Sequence, residues 1–134
     1  MIITRCGYRC DLCLAYRPNI DKNETNRKIL SDGWYKYFGF RIDPKDIRCE
    51  GCLSKKDKPQ LIDKNCPVRP CVIKNGYRTC AECNNFICQK LKDRIVKREE
   101  IEKRLGYSIP EKDYIKFIKP YESLNRLKKL NKQK

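Results

Sequence analysis

Apolar side chains return every three or four residues along one stretch of the chain, at Ile29, Leu30, Trp34, Tyr37 and Phe38. That is the period of a helix face. It predicts a helix over 21–38, opened by Asp21 as N-cap and closed by Gly39 as the first residue beyond it. The aromatic run WYKYFGF suits a base-stacking platform, although a stripe at this period is more often the buried side of a helix. A second helix is predicted over 88–105, with Leu91, Ile95, Ile101 and Leu105 on one side and Gly106 at its end. Ser108, Pro110 and Glu111 then resemble a capped helix start. Ile118, Tyr121, Leu124 and Leu127 line one face of the last segment, interrupted by Pro120, and their spacing predicts a tail that packs back onto the domain. RIDPKD reads as a turn, SKKDKPQ as a polar surface loop, and the terminal LKKLNKQK as a frayed end. The expected fold class is a small, mainly α domain with irregular, metal-stabilised loops and little or no strand.

Composition explains why metal enters that expectation. A chain of 134 residues fits one compact domain, and two independent apolar cores are not expected. Charged residues make up 37% and the mean hydropathy is -0.81, so apolar burial by itself is a weak counterweight to the conformational entropy of ordering the chain. Ten cysteines supply another source of order: Cys6, Cys10, Cys13, Cys49, Cys52, Cys66, Cys71, Cys80, Cys83 and Cys88. The start MIITRCGYRC lacks the basic and apolar regions of an export signal, and no stretch approaches the roughly 20 apolar residues of a membrane span. The expectation is a cytoplasmic protein with no membrane partner, where thiols stay reduced and closely spaced cysteines bind metal rather than each other. Histidine is absent, so a cysteine site must be all-thiolate or thiolate with Asp or Glu. Serine–histidine and cysteine–histidine catalysis are excluded.

The chain divides at residue 88. A cysteine-rich metal-binding core over 1–88 carries 17 Lys/Arg against 10 Asp/Glu, and a basic helical extension over 89–134, packed on the same domain, carries 15 against 7. Each four-thiolate zinc site has two net negative charges, so two of them lower the formal +15 to about +11. Arg5, Arg9, Arg48, Arg69 and Arg78 stand within three residues of a cysteine, where they can balance thiolate charge or simply face solvent.

Three C-x2-C pairs, at 10/13, 49/52 and 80/83, are joined by C-x4-C pairs at 66/71 and 83/88. Two intervening residues let a tight turn aim both sulfurs at one ion while backbone N–H groups donate to the thiolates. Gly51 in CEGC and Gly7 after Cys6 supply the positive φ that such knuckles use. Five cysteines on each side of the 52–66 interval point to two zinc ions in two four-coordinate sites, with one sulfur to spare in each. A provisional grouping is Cys10, Cys13, Cys49 and Cys52 for one site, with Cys66, Cys71, Cys80 and Cys83 for the other. Cys6 and Cys88 are possible exchanges. Either spare sulfur is a buried small hydrophobe or a reactive thiol.

CGYRCDLC has a rival reading. Its C-x3-C-x2-C resembles the iron–sulfur triad of radical S-adenosylmethionine enzymes, with Leu12 where an aromatic residue usually stands. A wider resemblance runs through CGYRCDLCLAYR, IRCEGCLS, CPVRPCVIKNG and TCAECNNFICQKL. That order is similar to the cysteine-rich family called domain of unknown function 3795, with all ten cysteines on its pattern. Val72 and Ile87 depart from the usual alanine and proline. The resemblance implies a zinc-binding domain without an established activity.

Two functions compete. One is a structural-zinc interaction module, whose partner would be nucleic acid or an acidic protein given the net charge. The other is an enzyme or redox protein, using an iron–sulfur cluster or a thiol, with Cys6 or Cys88 as the reactive sulfur.

Overall fold

The structure is a computed structural model and describes residues 2–51, 53–55, 57–62 and 66–132. It is mainly helical, and among the described residues there is no strand, only isolated bridges at Ile3/Arg9 and Tyr16/Cys49.

The predicted helix over 21–38 is two helices. α1 (Arg17–Lys22) has Pro18 in its first turn, where a missing N–H breaks no helical bond. It stops at Asn23, whose Oδ1 accepts the Thr25 N–H at 3.1 Å and redirects the chain into α2 (Asn26–Phe38). Asn and Thr side chains compete with the helix for local backbone groups, which accounts for the break. The far end stands where predicted. Gly39 has a φ of +80°, and its N–H returns to the carbonyls of Trp34 and Tyr35. Ser31, buried on α2, donates to the Ile42 carbonyl at 2.6 Å and pins the returning chain. RIDPKD is a turn, opened by Asp43 accepting the Lys45 N–H, with a 3-10 segment at Pro44–Asp46.

α3 (Val68–Lys74) comes next, then α4 (Gln89–Lys92) and α5 (Arg98–Leu105) in place of one helix over 88–105. The chain bends between α4 and α5 because Leu91 and Ile101 belong to different buried clusters. α6 (Glu111–Asp113) is preceded by Pro110 without a side-chain cap, so the capping box expected at Ser108 is not formed. The Ile109 N–H is instead taken by Glu102 Oε2 at 2.7 Å. A π-helical turn at Tyr114–Ile118 and a 3-10 turn at Lys119–Tyr121 carry the chain past Pro120, which has no N–H to extend a helix. α7 (Leu124–Lys132) is ordered where fraying was expected, because Leu127 is fully buried and Asn131 donates to the Ala81 carbonyl at 2.8 Å.

Buried residues fall into two clusters, against the expectation of a single core. The first joins Leu30, Trp34 and Tyr37 of α2 to Ile101, Phe117 and Ile118. The close approach of Phe117 requires Gly33, since a Cβ there would overlap the Phe117 ring at Cε1. The second cluster joins Val68, Val72, Leu91 and Leu127 to three buried cysteines, Cys6, Cys66 and Cys80. Gly7 lets α7 close over it. Its φ is +89°, and a Cβ would stand 2.8 Å from Leu127 Cγ. Arg126 fastens the same contact by donating to the carbonyls of Gly7 at 3.1 Å and Lys119 at 2.6 Å.

Candidate metal centre

Two C-x2-C pairs adopt the same local structure. Cys10–Leu12 and Cys80–Glu82 are 3-10 turns, and in each the N–H of the second cysteine returns to the carbonyl of the first at 3.1 Å. The chain leaves both turns extended, with φ and ψ of -72° and 127° at Cys13 and -75° and 136° at Cys83. Backbone donors then point at the sulfurs. The Asn85 N–H reaches Cys83 Sγ at 3.3 Å, and the N–H groups of Ala15 and Tyr16 favour the Cys13 thiolate.

The third pair is only half visible, because Cys52 lies outside the described residues. Cys49 is laid beside the first knuckle by backbone bonds. Its N–H donates to the Ala15 carbonyl at 2.7 Å and its carbonyl accepts from Arg17 at 2.8 Å. Gly51 has the expected positive φ, +91°, and packs closely on Tyr16. Asn19 braces this knuckle from α1, donating to the carbonyls of Asp11 at 3.0 Å and Cys13 at 2.8 Å.

Cys71, Cys80, Cys83 and Cys88 line one cavity of about 20 Å³, walled otherwise by apolar groups such as Val72 and Leu91. α3 supplies Cys71, the second knuckle supplies Cys80 and Cys83, and Cys88 stands just before α4. The provisional grouping had Cys66 in this quartet. Cys66 is buried in the same cluster but does not line the cavity, and Cys88 takes its place. Burial pushes the Cys80 thiol up to about 12, and the sulfurs of Cys6, Cys88, Cys71 and Cys83 push in the same direction. Burial likewise raises Cys13 to about 11, with Cys49 contributing, although the hydroxyl of Tyr121 at 3.0 Å favours the thiolate. Both shifts keep these thiols protonated, and a thiolate at either place would need a cation to offset its burial. Among the described residues, no group of three or more Cys, Asp or Glu side chains is gathered tightly enough to hold an ion as placed. The nine described cysteines form no disulfide.

CGYRCDLC is divided between the two clusters. Cys6 is buried beside Cys80, whose N–H donates to the Arg5 carbonyl at 2.9 Å, while Cys13 packs with Cys49 against the first cluster. At 4% exposure, Cys6 does not present the accessible thiol that a nucleophile needs. Cys88 is half-buried in the quartet. Two of the neighbouring arginines pair with carboxylates. Arg9 holds Asp11 through contacts of 2.8 and 2.6 Å and lowers that carboxyl to about 2, and Arg48 binds Asp21 at 3.0 Å.

Sequence reasoning missed Tyr121, Asn19 and Thr79. Thr79 Oγ1 accepts the Ala81 N–H at 3.1 Å, and a hydroxyl residue directly before a knuckle was a readable capping signal. Nothing local marks Tyr121, which lies 108 residues from Cys13.

These features define a small, mainly helical protein in which two C-x2-C pairs form matching knuckle turns. The chain belongs to the family described as Protein of unknown function (DUF3795), which matches residues 2–93 and so includes all ten cysteines. Comparison with curated proteins finds no match, and comparison with solved structures finds none. No helix among the described residues is long and apolar enough to cross a membrane.

Proposed function

We propose that the chain is a structural-zinc interaction module in which Cys71, Cys80, Cys83 and Cys88 hold one ion. The observation that carries this reading is the single cavity bounded by all four residues, which come from three separate elements. The donor set fits zinc. Four thiolates satisfy a tetrahedral ion and leave no position open for substrate, so the metal's role is to tie loops together. Burial first, and the neighbouring sulfurs after it, disfavour a thiolate at Cys80, and a divalent cation would offset both. The N–H of Asn85 on Cys83 supplies the outer support that thiolate ligands use.

The matching turn at Cys10–Leu12, with Cys49 alongside, extends the reading to a second ion on Cys10, Cys13 and Cys49, with Cys52, outside the described residues, as the fourth ligand of the C-x2-C pair. Separation of Cys6 from Cys13 favours this over an iron–sulfur cluster on CGYRCDLC, because a cluster needs all three sulfurs at one place.

Elemental analysis and an absorption spectrum of protein purified without air test the proposal. Two zinc ions per chain and no visible band are expected. Cys88→Ser lowers the zinc content by one ion, whereas Cys66→Ser leaves it unchanged. Iron, sulfide and a brown colour overturn the zinc assignment, and loss of zinc in Cys66→Ser but not Cys88→Ser overturns the quartet.

A further inference from the structure

A further hollow lies away from the cysteine cavity. A cavity of about 410 Å³ is walled by Tyr8, Trp34, Phe38, Phe40 and Tyr121. The five rings form one connected series. Tyr8 meets Tyr121 edge-on at 5.3 Å, Tyr121 meets Phe38 edge-on at 6.2 Å, Phe38 stacks on Phe40 at 6.2 Å, and Phe40 tilts against Trp34 at 5.4 Å. The hollow has the volume of a small-molecule site and leaves Phe40 45% exposed, although covering its ring would be favourable.

The hollow does not end there. A second, of about 280 Å³, shares Phe38, Asp93 and Val96 with the aromatic cavity and adds Lys97, Glu100 and Arg104. A third, of about 290 Å³, shares Ile95, Lys97 and Glu100 with the second and adds Lys92. The three make a path that starts among aromatic rings and continues past Lys97, Arg104 and Lys92, which outnumber the carboxylates Asp93 and Glu100 beside them. Lys97 Nζ stands 3.9 Å from Glu100 Oε1, a loose pair in which the side chains are 45% and 71% exposed.

We propose that the aromatic cavity receives one unpaired base of a single-stranded nucleic acid, and that the strand's phosphates follow the adjoining groove past Lys97 and Lys92. The partner named here rests on the reading of the chain as an interaction module. Ring faces favour a flat π system, and stacking platforms joined to a positive groove are how single strands are held. A cationic ligand fits worse. Asp93 and Arg94 stand side by side on the wall, so the cavity lacks the net negative charge a cation would seek, and the chain as a whole is formally +15.

The test uses the full metal-loaded chain and a labelled oligothymidylate of about ten nucleotides, within the usual single-strand site size. Binding is followed by anisotropy and by the emission of Trp34, the chain's one tryptophan and part of the cavity wall. The strand is expected to bind, to quench Trp34, and to outcompete both its duplex and thymidine monophosphate. Phe40→Ala weakens binding by about 5- to 100-fold, the range for loss of one stacked base, while Phe40→Tyr retains it. Lys97→Gln flattens the dependence of log affinity on log salt by about 0.7. Absence of binding overturns the proposal. So does binding that leaves Trp34 emission and the Phe40→Ala variant unaffected, which places the strand elsewhere. Equal affinity for the mononucleotide overturns the strand path in favour of a nucleotide pocket. Zinc content is measured on the same samples: zinc-free protein that still binds the strand refutes the metal reading alone, and zinc-loaded protein that ignores it refutes this one alone.

Discussion

The two buried clusters are made from different materials. The first is assembled from α2, α5 and the turn carrying Phe117 and Ile118, and its buried members include no cysteine. The second is smaller, and three of its eight buried residues are cysteines. Aliphatic and aromatic side chains gain by leaving water whatever else is bound, so the first cluster is self-sufficient in kind. Buried cysteines around Cys80 bring less apolar surface than aliphatic or aromatic side chains, and burial holds the Cys80 thiol in its neutral form. In a chain with 37% charged residues, the second cluster is the one that the proposed zinc would support.

Removing the proposed metal is the most severe way to break this comparison. Chelation is expected to cost the second cluster on the order of 10 kcal/mol, the scale of structural zinc sites. Amide exchange should then rise most at Val68, Val72 and Leu91 and less at Leu30 and Tyr37, whose cluster meets the second proposed ion only through partly buried Cys13 and Cys49. Equal loss of protection in both clusters would mean that they fold as one unit.

A lesion in the first cluster should act in the opposite sense. Leu30→Ala removes a fully buried side chain and is expected to cost about 2–5 kcal/mol in denaturant unfolding, with zinc content unchanged at room temperature. Gly33→Ala ranks next at about 1–3 kcal/mol, because its new methyl group overlaps the Phe117 ring. Pairing it with Phe117→Leu should recover part of that loss.

The gentlest test is pH, and the clusters should fail at opposite ends of the scale. Protons compete with metal for thiolates, so zinc release and loss of the second cluster are expected on acidification. In the first, burial and the Asp113 carboxylate raise Tyr37, while the hydrogen bond to Glu122 at 2.5 Å, with burial, raises Tyr114 to about 12. The unfolded tyrosines ionise near pH 10, so this stability is fully present below pH 10 and is lost as pH rises through 12. Thermal melts should decline across that window together with the appearance of tyrosinate absorbance. Glu122→Gln should move part of the decline to lower pH.

Much of the local structure was legible in the residues. Gly39 and Gly106 end α2 and α5 as expected, because a left-handed residue there is cheap only for glycine. The C-x2-C spacing implied tight turns at Cys10 and Cys80, and both are present with matching geometry. Helix continuity was less legible. Asn23 ends α1 through a side-chain contact two residues on, and the bend at 93–97 depends on Leu91 and Ile101 entering different clusters. Periodicity records that a residue is apolar, not which neighbour will cover it.

By itself the sequence determined a histidine-free set of ten cysteines, the knuckle turns, the helix ends at glycine and a strongly basic surface. These stem from residue chemistry and from spacings of a few residues, over which backbone sterics act directly. Only the tertiary structure decided that Cys88 and not Cys66 lines a cavity with Cys71, Cys80 and Cys83, that Cys6 and Cys13 pack in different clusters, and that Tyr8 and Tyr121 meet Trp34 around one cavity. Those pairings depend on how helices and loops distant in sequence share a limited interior, where one elbow at Gly7 and one helix laid across it select among sulfurs that spacing leaves equivalent.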